Sequence, residues 1–202
     1  MDIYGYGEDA LTLWAFKNRL AEILAQLNDS SLPEECVLFF RPSFGRRGGD
    51  ESPQFGEFDF LFQAPSSLYL GEAKWDRSPE ASGEGAIALR PEQLLRHRVF
   101  RQYVKEWTCG MYAAWDNFLA SAVPSWPSEK PIAPTGSLLA DNLQEILRFI
   151  QSRYKGTPEM KDVVLYLYDG GMGSAAPSSG PPGFQLVSIS YGSFKRGNYI
   201  RL

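Results

Sequence analysis

Two runs with a period of two lie close together in this chain, GEFDFLF at 56–62 and SLYLGEAKW at 67–75. Alternation of that kind predicts half-buried strands, and the short QAPS connection between them predicts a hairpin. The first strand is expected over Gln54–Phe62, with Glu57 and Asp59 on one face and Phe58, Phe60 and Phe62 on the other. In the second, over Leu68–Trp75, Leu68, Leu70, Glu72 and Lys74 share a face, and Gly71, Ala73 and Trp75 take its opposite. Asp59 precedes Glu72 by 13 residues, a spacing that suits adjacent antiparallel strands.

Other segments follow the helical period. Residues 9–27 read as a helix with Asp9 as N-cap, burying Phe16, Leu20, Ile23, Leu24 and Leu27, with Glu22 on the solvent side. CVLFF at 36–40 reads as a strand. Residues 76–89 are loop-like, and Pro91 opens a helix to about Trp107. Its apolar arc is Val99, Phe100, Tyr103, Val104 and Trp107. Gln93, His97 and Arg101 form one ridge at the arc's edge, and Arg96 projects toward its middle. Helix is expected to continue over Met111–Leu119, followed by a Pro- and Ser-rich loop at 121–136 and a helix at Leu138–Tyr154. Val163–Tyr168 and Phe184–Ile189 read as strands. The intervening DGGMGSAAPSSGPPG is expected to be a flexible hairpin connection, since it holds no GK[ST] and no helix follows it.

Composition narrows the class. With 202 residues, 44% hydrophobic and 14% aromatic, the chain is expected to fold as one domain, 1–202, with a core of about 8–107 and a C-terminal elaboration of about 108–202. No apolar run reaches membrane-spanning length and MDIYGYGEDA lacks the regions of a signal peptide, so no membrane association and a cytoplasmic location are expected. Cys36 and Cys109 lack metal-type spacing and are expected to be reduced core thiols. The net charge of −4 counts against nucleic-acid binding. Against it stand three basic clusters, around Arg46 and Arg47, along Arg96, Arg98, Arg101 and Lys105, and at Lys195, Arg196 and Arg201.

Two carboxylates and an ammonium set within apolar strands are expensive to bury without partners. A divalent cation would offset that cost. Mg²⁺ takes oxygen ligands, and Asp59, Glu72 and the backbone carbonyl of Ala73 supply a set of the right kind. Lys74, one side-chain step along, can orient water or stabilise charge on a phosphate. A solvent-facing strand pair with an Asp–Lys bridge is the alternative, and the apolar flanks LYLG and FDFLF argue against it.

The D…ExK pattern across a hairpin resembles the PD-(D/E)XK nuclease superfamily, and GEFDFLF…LYLGEAKW is most similar to its small bacterial resolvase-like members. The resemblance covers about the first half of the chain. It implies a restriction-endonuclease-like α/β fold with an αβββα core, here a central mixed sheet flanked by helices plus C-terminal strands. It implies Mg²⁺ or Mn²⁺ held by Asp59 and Glu72, with Lys74 assisting hydrolysis of DNA, RNA remaining open as substrate. The start GYGEDAL resembles the family's first helix, which makes Glu8 a further metal ligand; a carboxylate settled by the helix dipole is the other reading. Gln93 matches a helix position that faces the family's metal site. The chain departs from the pattern at Phe58, where the family name implies proline, and at His97, where a tyrosine is common. Arg46, Arg47, Arg96, His97 and Arg101 are candidate nucleic-acid contacts, and a homodimer is consistent with the family. Two rival classes remain: a catalytically inactive nuclease fold that binds nucleic acid, and a protein-interaction module that uses the loop at 121–136.

Overall fold

In the computed structural model the residues described are 1–45, 49, 51–77, 87–123, 126, 129–170, 176–192, 195–196 and 199–202. Their elements run β1 (Tyr4–Gly5), α1 (Gly7–Asn18), α2 (Leu20–Gln26), β2 (Val37–Phe40), β3 (Ser43–Phe44), β4 (Gly56–Glu57), β5 (Phe60–Gln63) and β6 (Ser67–Trp75). There follow α3 (Pro91–Gly110), α4 (Trp115–Ala122), α5 (Leu138–Arg153), β7 (Glu159–Tyr168), β8 (Phe184–Ser190), β9 (Lys195–Arg196) and β10 (Tyr199–Arg201). The protein is mixed α/β. It divides into two compact units, each discontinuous in sequence. The first is Met1–Phe40, Asp59–Leu89 and Lys161–Leu202; the second is Arg41–Phe58 and Arg90–Met160.

The first unit is built on a five-stranded mixed sheet ordered β2-β5-β6-β7-β8. Period-2 alternation fixes its register. Phe60 pairs with Gly71 and Leu61 with Leu70 in the antiparallel β5–β6 hairpin, and β2 pairs antiparallel with β5. The Lys161 ammonium lies 5.8 Å from the Tyr69 ring centroid, and farther along Asp76 N–H donates to Leu167 O, so β6 and β7 run the same way. One face of the sheet presents Phe60, Phe62, Tyr69, Val163, Leu165, Val187 and Ile189 to Leu11, Trp14, Phe16, Ile23 and Leu24 of α1 and α2. Leu61, Leu68 and Leu70, which point the other way, are also fully buried. Beneath Ile87 pack Val164 and Tyr166. A small antiparallel sheet, β1-β10-β9, completes the unit.

The second unit packs α3, α4 and α5 with the β3–β4 pair around an aromatic core. Phe44 stacks on Phe55 and Phe100 at 5.0 and 5.1 Å, and Trp107, Trp115 and Phe118 form a second nest. Val99, Phe100, Tyr103, Val104 and Trp107 are all buried, as the helical period predicts.

Several expectations are corrected. The helix read over 9–27 is two helices, because Arg19 leaves helical dihedrals and the Asn18 side chain bonds the Trp14 carbonyl in competition with the ladder. Its N-cap is Tyr6, with Asp9 in the first turn. Helix does not run on from α3 through Met111. That residue is left-handed (φ 50°), and the Tyr112 ring packs where a Cβ on Gly110 would lie, so the chain turns before α4. The strand expected over 54–62 is interrupted at Phe58 and Asp59, which separates β4 from β5. β7 and β8 pair in parallel, Asp162 with Phe184 through Tyr168 with Ser190, so 169–183 is a crossover and not a hairpin. Of the two expected core thiols, Cys36 is half-buried, packs against the core and donates to the Leu32 carbonyl, whereas Cys109 is exposed.

Candidate functional site

The β5–β6 hairpin sets the geometry. With Phe60 opposite Gly71, continuing the antiparallel register brings Asp59 level with Glu72. Asp59 lies just outside β5, in a bend, and its Oδ2 accepts the Ala73 N–H at 2.8 Å. That bond anchors the carboxylate against β6 although its own strand has been broken. Glu72 is 0% exposed and Lys74 only 4%, whereas Asp59 is half-buried. Close approach of the two strands depends on Gly71. The Phe60 ring crosses it, and a Cβ there would lie 1.9 Å from ring carbons. The same ring sits 4.8 Å from Phe16, which ties the hairpin to α1.

Electrostatics single out Asp59. Burial first, then the neighbouring Glu72 carboxylate and more weakly Glu8, push its carboxyl up from the ordinary 3.8 to about 7; the Ala73 N–H and the Lys74 ammonium pull the other way. Asp59, Glu72, Glu8 and Lys74 therefore form one electrostatic cluster in the first unit. Glu8 reaches it from α1, its Oε2 accepting the Trp75 N–H at 3.2 Å. A tie that sequence reading missed stands at the end of β6. Asp76 accepts Asp169 N–H at 2.8 Å and the Tyr191 hydroxyl at 2.7 Å, fixing the end of β6 to the residues that follow β7 and β8. An acid directly after EAKW is the one sequence signal that could have pointed to it.

The remaining candidates are placed differently. Glu57, expected on the Asp59 face, lies in β4, where it pairs with Ser43 and forms an ion pair with Arg41 at 3.1 Å. Gln93 and His97 belong to the second unit and are buried, each 2% exposed, where the helical period put them at an edge. The Gln93 Oε1 accepts the Arg90 N–H and so caps its own helix, while the His97 ring packs 4.8 Å from Phe58. Arg96 lays its guanidinium over the Phe58 ring at 5.9 Å. Arg101 donates to the Met160 carbonyl at 3.0 Å. Arg46 and Arg47 lie outside the described residues, as does most of the loop read at 76–89.

Among the described residues no group of three His, Cys, Asp or Glu side chains converges as a metal site, and no helix is long and apolar enough to cross a membrane. No protein-family model, curated protein or solved structure matches the chain.

Chemically, the arrangement offers two carboxylates at one point of the sheet, one of them holding its proton near neutrality, with an ammonium one step along the strand. Carboxylates forced together in this way favour a proton or a cation between them.

Proposed function

We propose that the protein is a divalent-metal-dependent nuclease of the PD-(D/E)XK type, hydrolysing phosphodiester bonds of DNA. The observation that carries this reading is the Asp59–Glu72 pair, where burial and then the Glu72 carboxylate push Asp59 up to about 7, with Lys74 buried beside it. The succession of α1–α2, β2, β5, β6 and α3 supports an αβββα core of the restriction-endonuclease-like kind.

The donor set fits a hard cation, since all its oxygens come from Asp59, Glu72 and the Ala73 carbonyl, with Glu8 nearby through Trp75. Mg²⁺ or Mn²⁺ held there would polarise a phosphoryl oxygen and make bound water more acidic. Asp59 must give up its proton to serve as a ligand, so affinity for the ion rises with pH through about 7. Lys74 places a buried positive charge beside the carboxylates, where it stabilises negative charge developing on a phosphate. Ala73 orients Asp59 through its N–H.

The test is cleavage of mixed DNA substrates with Mg²⁺ or Mn²⁺ by the wild type, Lys74→Ala and Asp59→Asn. Hydrolysis by the wild type alone is expected; equal activity in all three, or none in any, overturns the proposal. A second reading, a nuclease fold kept as a protein-interaction module, is favoured by the net charge of −4, which counts against a nucleic-acid partner. It predicts protein binding with no uptake of Mg²⁺ or Mn²⁺ in calorimetry.

A further inference from the structure

Away from the carboxylates, the first unit carries an unusual run of exposed aromatic rings. The β1–β10 register places Tyr4 opposite Arg201 and Gly5 opposite Ile200. Cross-strand partners share a face, so Tyr4, Tyr199 and Arg201 stand on the outer side while Ile200, 2% exposed, turns inward. Tyr4 is 42% exposed, Tyr199 54% and the adjoining Tyr6 58%. From this face the rings continue toward β6. Tyr6 lies 6.0 Å from Tyr199 on one side and 6.0 Å from Trp75 on the other, and the Arg77 guanidinium sits 5.7 Å from the Trp75 ring centroid. Trp75, Arg77, Lys195 and Tyr199 also line one shallow depression. The series ends at Trp75, half-buried against the core on the face of β6 opposite Lys74.

We propose that Tyr4, Tyr199, Tyr6 and Trp75, with Arg77 and Arg201, form a stacking platform for single-stranded nucleic acid. Every base has a π-face, so stacking on tyrosine and tryptophan holds a strand without reading its sequence. A duplex keeps its bases stacked on one another and cannot use such rings. The cations suit the backbone. Among the described residues Arg201 pairs with the exposed Asp2, at 2.6 Å, and an exposed pair of that kind exchanges its carboxylate for a phosphate at little cost. Lys195 is held by Asp169 near the same depression. The outward residues are hydroxylated rings and an arginine, with the aliphatic Ile200 buried. That chemistry fits bases and phosphates better than an apolar protein surface.

The platform deepens the nuclease reading, on which one part of it rests, by naming the substrate as single-stranded or frayed DNA or RNA, held by rings in the same unit as Lys74. Binding is measured with fluorescent oligo(dT) in EDTA, where no hydrolysis can occur, against a duplex of equal length. The wild type should prefer the single strand. Tyr199→Ala and Tyr6→Ala should each weaken it by about 5-fold or more. Tyr199→Phe and Tyr6→Phe should restore binding, because the ring and not the hydroxyl carries it. Circular dichroism melting confirms that each variant is folded, and Tyr199, more than half exposed, is the safer of the two. No binding, preference for duplex, folded alanine variants with unchanged affinity, or a dimer that Tyr199→Ala dissociates would each overturn the platform. The two ideas fail separately. Duplex cleavage with Mn²⁺ but no oligo(dT) binding removes the platform alone; oligo(dT) binding with no cleavage of any substrate removes the nuclease alone.

Discussion

Replacing Asp59 by asparagine should stabilise the metal-free protein increasingly as pH rises from about 4 to about 7, and by a constant amount above that. In the fold its carboxyl is raised from the ordinary 3.8 to about 7. Between those values the unfolded chain has lost the proton and the folded chain keeps it, so stability falls as pH rises through the window and levels off above it. At about 1.4 kcal/mol per unit the full displacement corresponds to about 4 kcal/mol. Water at the half-exposed carboxylate screens part of this, leaving about 2 kcal/mol. Asparagine stands in for the protonated form and its carbonyl still accepts the Ala73 N–H. Urea unfolding in EDTA should therefore show Asp59→Asn more stable than wild type by about 2 kcal/mol at pH 8, with the difference vanishing near pH 4. A difference independent of pH, or a less stable variant at pH 8, would refute the account of Asp59 as a carboxylate whose ionisation the fold opposes.

Other expectations are more compact. If Asp59 and Glu72 hold a cation, Mn²⁺ at a hundred times its dissociation constant should stabilise the wild type by about 2.7 kcal/mol, and Glu72→Gln should lose that gain; an equal shift in both places the ion elsewhere. Gly71→Ala forces the Phe60 ring aside and should cost about 1–3 kcal/mol in urea unfolding, a loss that is absent only if the ring has somewhere to go. Ser137 accepts the Ala140 N–H at the start of α5, and Ser137→Ala should lower stability by about 1 kcal/mol. Met111, left-handed and exposed, should gain about 0.5–1 kcal/mol on replacement by glycine, read as a higher thermal midpoint.

The β5–β6 hairpin was legible because its alternation is strict and its turn short. Leu68 through Lys74 keep the predicted faces, and Asp59 meets Glu72 as the parity required. What alternation could not reveal is that Asp59 sits in a bend. A run such as FDFLF satisfies a period of two whether or not its backbone stays in one ladder, and the break shows only in the separate pairing of Glu57 with Ser43. The direction of β8 was hidden for a related reason. Glycine, serine and proline at 169–183 exclude a helix but do not say on which side the chain returns. Gln93 and His97 lie near the edge of the helical arc, where burial depends on what packs alongside, and Phe58 is the neighbour that decides it for His97. The small β1-β10-β9 sheet joins residues nearly two hundred positions apart, a distance over which local periodicity carries no information.

The position of β6 has a consequence for how the chain reaches this structure. One of its edges is closed by β5, three residues away across a turn, but the other waits for β7, whose first residue is Glu159. During synthesis the strand bearing Glu72 and Lys74 is therefore an open edge until β7 has been made, rich in apolar side chains and able to pair with any passing strand. Its two charges, buried in the finished sheet, face water throughout that interval. Two charges in so apolar a strand oppose its pairing with other chains while the sheet is incomplete.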